Sequence, residues 1–272
     1  MNKLKVNQLT ETQSTLLMPL WARAKESDRP DPLLVDRKAA EIVDSLDFDF
    51  RLFTRKRVPQ ADYCVRASVL DQLVNEFLRR HPSGTVVEFG VGLDTRFDRL
   101  DNGQVTWVEL DFPDVIELRT QFIPPDDRRH MLSGSLTESD WIPAVAKIGQ
   151  GPRLFIAEGV LYFLTERQVR DLLERLTSHF CDASFLFDAQ SPFFLWFSNL
   201  RQPVKNAAMK FSLGAVRKLE KYNPRLQVQR WIGFGDSPYY DKCLDRLGFV
   251  KRWGRRLFPA VGRMFKIVQV AW

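Results

Sequence analysis

A run of β-branched residues that ends in two glycines most strongly constrains how this chain folds: Thr85-Val86-Val87-Glu88-Phe89-Gly90-Val91-Gly92. Such a continuous apolar run predicts a strand that is buried on both faces. The glycines allow the backbone to turn tightly and to approach a ligand closely. A second apolar run starts at Val105 and ends at Asp111, whose carboxylate is placed to accept hydrogen bonds from ribose hydroxyls. Together the two strands predict a nucleotide pocket of the Rossmann kind.

The residues around the glycines indicate which nucleotide binds. The dinucleotide fingerprint G-x-G-x-x-G requires glycine at position 95, where this chain has Thr95. A pyrophosphate also favours neutral backbone donors, whereas the acidic Glu88 stands just before the turn. A carboxylate there suits a ligand with a cationic ammonium or sulfonium, such as S-adenosylmethionine. A nicotinamide dehydrogenase is the weaker alternative.

Strand and helix patterns alternate along the middle of the chain, which predicts a mostly parallel sheet with helices on both faces. We therefore expect an α/β fold with a seven-stranded sheet. Beyond the first two strands, apolar runs place the others near residues 130–134, 153–158, 184–188, 249–253 and 264–271. Carboxylates end three of the strands, at the edge where open α/β sheets bind ligands, namely Asp111, Glu158 and Asp188.

We expect one domain made of four segments. The first is helical because apolar residues recur at helical spacing, and the third interrupts the alternation with aromatic and then basic residues. Its aromatic residues are candidates either for the lining of the lid or substrate pocket or for ordinary core, namely Phe193, Phe194, Trp196 and Phe197. A capping box at Thr165 and Gln168 predicts the start of a helix in the second segment. The segments are a helical cap (1–82), a cofactor-binding core (83–190), a lid insertion (190–235), and a C-terminal helix near 238–247 with closing strands (236–272).

Charge is distributed unevenly along the 272 residues. The formal net charge is +6, yet the part from Asn199 onward holds 16 basic and 4 acidic residues, which gives +12 there and −6 before it. Such asymmetry is typical either of an anionic partner, such as nucleic acid or a membrane surface, or of a solvated basic face. Nucleic acid is therefore not excluded as a partner.

Cysteine and histidine spacing gives no sign of a metal site or a disulfide framework. The N-terminus lacks an apolar signal core, and no apolar run has the length of a membrane span. We expect a metal-free cytoplasmic protein. The residues in question are scattered singly, at Cys64, Cys181, Cys243, His81, His130 and His179.

Several stretches resemble the leucine carboxyl methyltransferase family, in particular its bacterial branch of polyketide O-methyltransferases of the tetracenomycin type. The similar residues are spread over most of the chain and are densest between positions 15 and 190. They are Leu20–Ser27, Pro30–Pro32 with Asp36, Val65-Arg66, Val87–Arg96, Trp107–Pro113 and Ala157–Leu164.

This resemblance implies a class I methyltransferase that uses S-adenosylmethionine as cofactor. In such an enzyme Arg66 binds the methionine carboxylate, assisted by Arg23 or Lys25. The remaining cofactor contacts implied are Gly90 below the methionine, Asp111 at the ribose, Glu158 near the amino group or sulfonium, and Ser135-Leu136 at the adenine. Where the family usually has Asp-Leu, this chain has Ser135-Leu136, so the adenine contact differs.

No histidine occupies a position typical of a general base, which favours a small-molecule acceptor that is already acidic, a carboxylate or an acidic phenol. Tyr162 and Asp188 are the candidate catalytic residues. Three alternatives stay open. In the first alternative the acceptor is the C-terminal carboxylate of a protein. In the second it is tRNA, which the basic C-terminal quarter would favour. In the third, the protein binds S-adenosylmethionine without catalysis.

Overall fold

A computed structural model describes residues 4–5, 11–55, 58–201, 209–245 and 262–272. The strands are β1 (Leu4–Lys5), β2 (Leu46–Asp47), β3 (Thr85–Phe89), β4 (Thr106–Asp111), β5 (Arg129–Ser133), β6 (Arg153–Ala157), β7 (Ala183–Gln190), β8 (Gln227–Gly233) and β9 (Phe265–Ala271). The longer helices are α1 (Glu11–Ser27), α2 (Arg37–Ser45), α4 (Gln60–Arg80), α6 (Pro113–Thr120), α8 (Glu166–His179), α9 (Pro192–Arg201) and α11 (Pro238–Asp245). Short helices are α3 (Arg51–Arg55), α5 (Arg96–Leu100), α7 (Ile142–Lys147) and α10 (Lys218–Tyr222).

Seven strands form one sheet in the order β5-β4-β3-β6-β7-β9-β8. The first five strands in this order, β5-β4-β3-β6-β7, pair in parallel, and β9 runs antiparallel to both of its neighbours, β7 and β8. The chain moves outward from β3 in one direction and then returns to continue from β6 in the other. This reversal opens a crevice at the carboxyl ends of β3 and β6, where doubly wound sheets bind ligands. The predicted seven-stranded, mostly parallel sheet is confirmed.

The sheet is buried on both faces, as its continuous apolar strands predict. Alternate residues of β3 point to opposite sides: Val86 packs in a core with α1, α2 and α4, whereas Val87 and Phe89 pack in a core with α7 and α8. The predicted capping box is also confirmed, since Thr165 accepts from the Gln168 amide and the Gln168 side chain accepts from the Thr165 amide. None of the described helices has the length and apolar character to cross a bilayer.

The outer edge of the sheet corrects one prediction. Residues 227–233 lie in the stretch predicted as a lid insertion, yet they form β8 and pair with β9. Alternate side chains of β8 are exposed, as on an edge strand, so its apolar signal is weak. The predicted strand at 249–253 and the end of the helix predicted over 238–247 lie outside the described residues.

A buried ion pair fixes the turn that follows β3. Arg119 of α6 is fully buried and donates to both carboxylate oxygens of Glu109 on β4, at 2.7 and 2.5 Å. Its remaining nitrogen donates to the carbonyl oxygens of Gly92 and Asp94, at 3.1 and 2.5 Å. Burial alone would lower the pKa of Arg119, but the Glu109 carboxylate outweighs it and raises the pKa. The guanidinium therefore connects the glycine turn to the neighbouring strand.

Replacing Arg119 by methionine is expected to lower the free energy of unfolding by about 3–5 kcal/mol, because Glu109 is left as a buried, unpaired charge. Urea denaturation of the variant measures the change. The matched control is Arg128→Met, which removes an exposed pair with Asp101 and should leave the midpoint nearly unchanged. Equal midpoints for Arg119→Met and the wild type would contradict the role given to this pair.

Candidate active site

Two cavities meet at the carboxyl ends of β3, β4 and β6. The first, which we name the β4 cavity, has a volume of about 570 Å³ and is lined by Asp111, Phe112, Ser135, Leu136 and Val160, among others. The second, the arginine cavity, has a volume of about 240 Å³ and is lined by Arg23, Arg66, Glu88, Asp94 and Glu158, among others. Both cavities are bounded by Leu16, Gly90, Gly159 and Phe163, so they form one cleft.

The floor of this cleft is the predicted glycine turn. Gly90 has a φ of +61°, a conformation that strongly favours glycine. A Cβ atom at this position would lie 2.4 Å from Cγ2 of Val160, in the loop after β6. The Gly90 amide donates to the carbonyl of Leu110 at 2.8 Å, which ties the turn to β4. Only glycine fits here, because both the backbone angle and the space exclude a side chain.

Asp111 lies at the end of β4 and lines the β4 cavity. One of its carboxylate oxygens accepts from the amide of Gly92 at 2.7 Å, and the other accepts from the amide of Phe112 at 2.8 Å. Burial raises the pKa of Asp111, and the two amide donors partly oppose the shift. The carboxylate is thus held in one orientation, and each oxygen keeps a further lone pair for a ligand.

Ser135 and Leu136 follow β5 and also line the β4 cavity. The Ser135 hydroxyl lies 2.8 Å from the Thr137 hydroxyl and accepts from the Thr137 amide at 3.2 Å. The carbonyl of Leu136 accepts from Arg175 at 2.7 Å. The structure therefore places both residues in the cavity that Asp111 also lines, with Leu136 as an apolar wall.

Arg96 is fully buried below the arginine cavity and contacts four carboxylates. Its Nε donates to Asp71 at 2.8 Å, and Nη2 lies 3.2 Å from Asp94. Close contacts join Nη1 to Glu88 and Nη2 to Glu158. Three more arginines join this network, and among the described residues it comprises four guanidinium groups and six carboxyl groups, those of Arg23, Arg66, Arg96, Arg99, Asp36, Asp71, Glu88, Asp94, Glu158 and Asp188. The sequence placed Arg96 in the family motif without giving it a role.

Glu88 is the carboxyl group of this network that has a buried oxygen without a hydrogen-bond partner among the described residues. Its side chain is 2% exposed, and Oε2 has no hydrogen-bond partner in the described part of the chain. Burial raises the pKa of Glu88 to about 8, against the opposing charge of Arg96. Burial also acts on Glu158, but Arg66 and Arg96 outweigh it and lower that pKa. A cationic ligand in the arginine cavity would therefore favour ionised Glu88.

Arg66 of α4 lies at one end of the arginine cavity. Its Nε donates to Glu158 at 2.8 Å, and Nη1 donates to Asp188 at 3.1 Å and to the Tyr162 hydroxyl at 3.4 Å. Nη2 makes no hydrogen bond with the described residues. Tyr162 lines the cavity, and burial raises its pKa, against the opposing effect of Arg66. Two sequence-predicted cofactor residues and both predicted catalytic residues therefore meet here.

Asp188 has a different position from the one predicted for a catalytic residue. One of its oxygens accepts from Arg66 and the other accepts from the Gly159 amide at 2.7 Å. Its side chain lines neither cavity of the cleft. Burial raises the pKa of Asp188, and Arg66 partly opposes the shift. Asp188 therefore stands behind Arg66 and positions it.

The structure does not bring Lys25 to the cleft. Its side chain is 55% exposed and pairs with Asp28 at 3.2 Å, whereas Arg23 lines the arginine cavity and donates to Asp36 at 2.8 Å. Residues two apart on a helix point in nearly opposite directions, so both cannot face the same cavity. Of the two basic residues predicted on α1, only Arg23 is at the site.

A third cavity of about 380 Å³ adjoins the arginine cavity, and we name it the aromatic cavity. The two share Tyr63, Arg66, Tyr162 and Met209 as a common wall. Half of the rest of its lining is aromatic, and these residues come from distant parts of the chain: Pro59, Asp62, Gln190, Phe194, Phe197, Ser198, Phe234 and Phe265. Sequence reasoning considered Phe194 and Phe197 for this role and missed Phe234 and Phe265. Phe193 and Trp196, considered with them, are 59% and 58% exposed and line none of the three cavities.

Solved structures of low sequence identity share this fold. A DUF574 family protein from Streptomyces avermitilis superposes with a TM-score of 0.62 at 9% identity, covering 94% of this chain and 96% of that one. A putative methyltransferase from Thermobifida fusca gives 0.57 at 14% identity, covering 92% of each chain. At these identities the likeness extends to the fold alone.

Sequence comparisons identify the family. Residues 16–177 match the model of the leucine carboxyl methyltransferase family. Tetracenomycin polyketide synthesis O-methyltransferase TcmP of Streptomyces glaucescens is 34% identical over 235 residues, which cover 85% of this chain and 86% of that protein. S-adenosyl-L-methionine-dependent methyltransferase dpfgK of Gibberella zeae is 29% identical over 244 residues, covering 81% and 82%. The chain therefore belongs to the leucine carboxyl methyltransferase family and is an S-adenosylmethionine-dependent methyltransferase.

Proposed function

We propose that this enzyme methylates a carboxylate or acidic hydroxyl of a planar aromatic small molecule, such as a polyketide or another secondary metabolite. The observation that carries the proposal is the common wall of the arginine and aromatic cavities, which brings Arg66 and Tyr162 to both. The aromatic lining suits a flat ring, since aromatic pairs stack favourably. The similar protein TcmP is a tetracenomycin polyketide synthesis O-methyltransferase, which supports the same class of acceptor.

The residues of the cleft fit S-adenosylmethionine, which supplies an activated methyl group on a cationic sulfonium. The unpartnered Oε2 of Glu88 and the excess of carboxylates suit the positive methionine end. Asp111 is oriented to accept from ribose hydroxyls, and Leu136 offers an apolar wall for the adenine. Gly90 lets the backbone approach the ligand closely. Arg23 and Arg66 are the cations available to the carboxylate.

The chemistry at the common wall favours an acceptor that is already anionic. Burial raises the pKa of Tyr162, which keeps its hydroxyl protonated, and Asp188 lines none of the three cavities. Neither predicted base is therefore placed to take a proton. Arg66 keeps Nη2 free of described partners and is positioned to hold an anionic oxygen in the adjoining cavity. We place the reaction in the cytoplasm, which the free thiols Cys64, Cys181 and Cys243 support.

Changing Asp111 to asparagine is expected to weaken S-adenosylmethionine binding roughly 10- to 100-fold, because a charged acceptor of two hydroxyl donors is lost. Isothermal calorimetry gives the two dissociation constants. Glu117→Gln, an exposed change on α6, serves as the control and should bind like the wild type. Unchanged affinity in Asp111→Asn would show that this carboxylate does not hold the ribose.

The affinity for S-adenosylmethionine is expected to rise with pH between about 6 and 8 through ionisation of Glu88. In the free protein Glu88 stays protonated up to a pKa of about 8, and a cationic ligand binds better to the ionised form. Binding therefore releases a proton below that pH. Calorimetry at several pH values on the wild type and on Glu88→Gln isolates this contribution from the titration of the ligand itself. Parallel pH profiles for the two proteins would refute it.

Methyl transfer to 2-naphthoate from radiolabelled S-adenosylmethionine tests the reaction. The Tyr162→Phe variant is expected to keep kcat/KM within about fivefold of the wild type, because the hydroxyl contributes one weak hydrogen bond and no proton transfer. Arg66→Met should lose at least about 100-fold, since an anion and Glu158 both lose their cationic partner. If Tyr162→Phe abolished transfer while cofactor binding persisted, Tyr162 would be the base.

A further inference from the structure

Gln190 is a buried polar residue that the cofactor site does not use. It is the last residue of β7, opposite Phe265 of β9, and its side chain lines the aromatic cavity. The residue is 3% exposed, and its Oε1 atom has no hydrogen-bond partner in the described part of the chain. Its backbone carbonyl is satisfied, because it accepts from the Leu213 amide at 2.9 Å. The missing hydrogen bond therefore belongs to the side-chain amide, at its Oε1 atom.

An amide in this position points to a ligand. A buried polar group without a partner costs free energy, and native structures rarely keep one without a reason. The rings of Phe194, Phe234 and Phe265 line the same cavity and supply no hydrogen-bonding group, and no polar lining residue bonds the Gln190 Oε1 atom. Phe265 packs edge to face against Phe194, at a centroid distance of 4.1 Å, and stacks on Phe234 at 5.4 Å. The amide is thus one of a few polar groups in a cavity with several aromatic walls, a typical arrangement for orienting a ligand.

The strand geometry sets the place of this amide relative to the reacting group. Gln190 and Asp188 are two residues apart on β7, so they share one face of the strand and lie roughly 7 Å apart along it. Asp188 holds Arg66 at the common wall of the two cavities. Gln190 lines the aromatic cavity but not the arginine cavity. A ring system that presents its reacting oxygen to Arg66 therefore extends toward Gln190 with its distal part.

We propose that Gln190 determines acceptor specificity. Its side-chain amide hydrogen-bonds a second hydroxyl on the distal ring of the acceptor, and this contact selects which oxygen faces the methyl donor. The inference rests on the proposed function, since it takes a planar aromatic acceptor as given. It adds to that function a specificity residue, Gln190, and a ligand feature, the second hydroxyl, and methyl transfer itself requires neither.

The test uses calorimetry on the full chain saturated with S-adenosylhomocysteine. The ligands are 2-naphthoate and its 6-, 7- and 8-hydroxy derivatives, which differ from it only in the distal hydroxyl. At least one hydroxy derivative is expected to bind the wild type about 10- to 100-fold tighter than 2-naphthoate. In Gln190→Met, which keeps the side-chain volume but removes the amide, the ratio should fall to about one. The matched control Gln227→Met changes an exposed residue of β8 and should keep the wild-type ratio.

Thermal unfolding separates a specificity role from a structural one. Because the Gln190 side chain bonds none of the described residues, Gln190→Met should melt no lower than the wild type. A lower melting temperature together with an unchanged binding ratio would overturn the inference. Equal binding of all four ligands to the wild type would overturn it while leaving the proposed function intact. Failure of all four to bind, with cofactor binding retained, would overturn the aromatic acceptor and this inference together.

Discussion

The guanidinium of Arg96 is the group on which the site most depends. It joins Asp71 of α4, Glu88 of β3, Asp94 of the glycine turn and Glu158 after β6. These carboxylates come from four separate segments, so one side chain fixes the helical cap against the carboxyl edge of the sheet. Since the guanidinium is fully buried, its removal would leave four carboxylates facing each other without a central cation.

Charge around Arg96 explains why the arginine cavity suits a cation. Arg99 adds a second buried guanidinium and contacts Asp36, Asp71 and Asp94. Burial alone would raise the pKa of Asp94, but Arg23, Arg96 and Arg99 outweigh it and hold the pKa well below its usual range. Glu88 receives less compensation, which leaves it the carboxyl that a positive ligand stabilises most. The arginines therefore arrange the carboxylates and still leave a site for one more positive charge.

Local sequence signals predicted the features that local geometry decides. The strand over 85–89, the glycine turn and Asp111 follow one another within thirty residues, and the structure places them as expected. Of the two alternatives Arg23 and Lys25, the resemblance could not choose one, because it places residues on a helix without fixing which of them faces the cleft. The edge strand β8 was missed because alternating exposed residues give a weak apolar signal.

The aromatic cavity could not be predicted from the sequence, because its walls are far apart along the chain. Tyr63, Phe194, Phe234 and Phe265 reach it from a helix of the cap, from α9 and from the far edge of the sheet. Phe234 and Phe265 have the spacing of ordinary core, so no local pattern distinguishes them, whereas Phe194 belongs to the aromatic run of the predicted lid. The lack of a partner for the Gln190 Oε1 atom among the described residues is visible only once the packing is known.

The common wall has a thermodynamic consequence for how the two ligands affect each other. Arg66 borders both cavities, and its charge is shared with Glu158 on one side and Asp188 on the other. A ligand in one cavity that changes the electrostatic potential at this guanidinium therefore also changes the potential that a ligand in the other cavity meets. By linkage, the factor by which the methyl donor alters acceptor affinity equals the factor by which the acceptor alters affinity for the donor. The shared cation Arg66 therefore couples the affinities of the methyl donor and the acceptor by the same factor, whichever of them binds first.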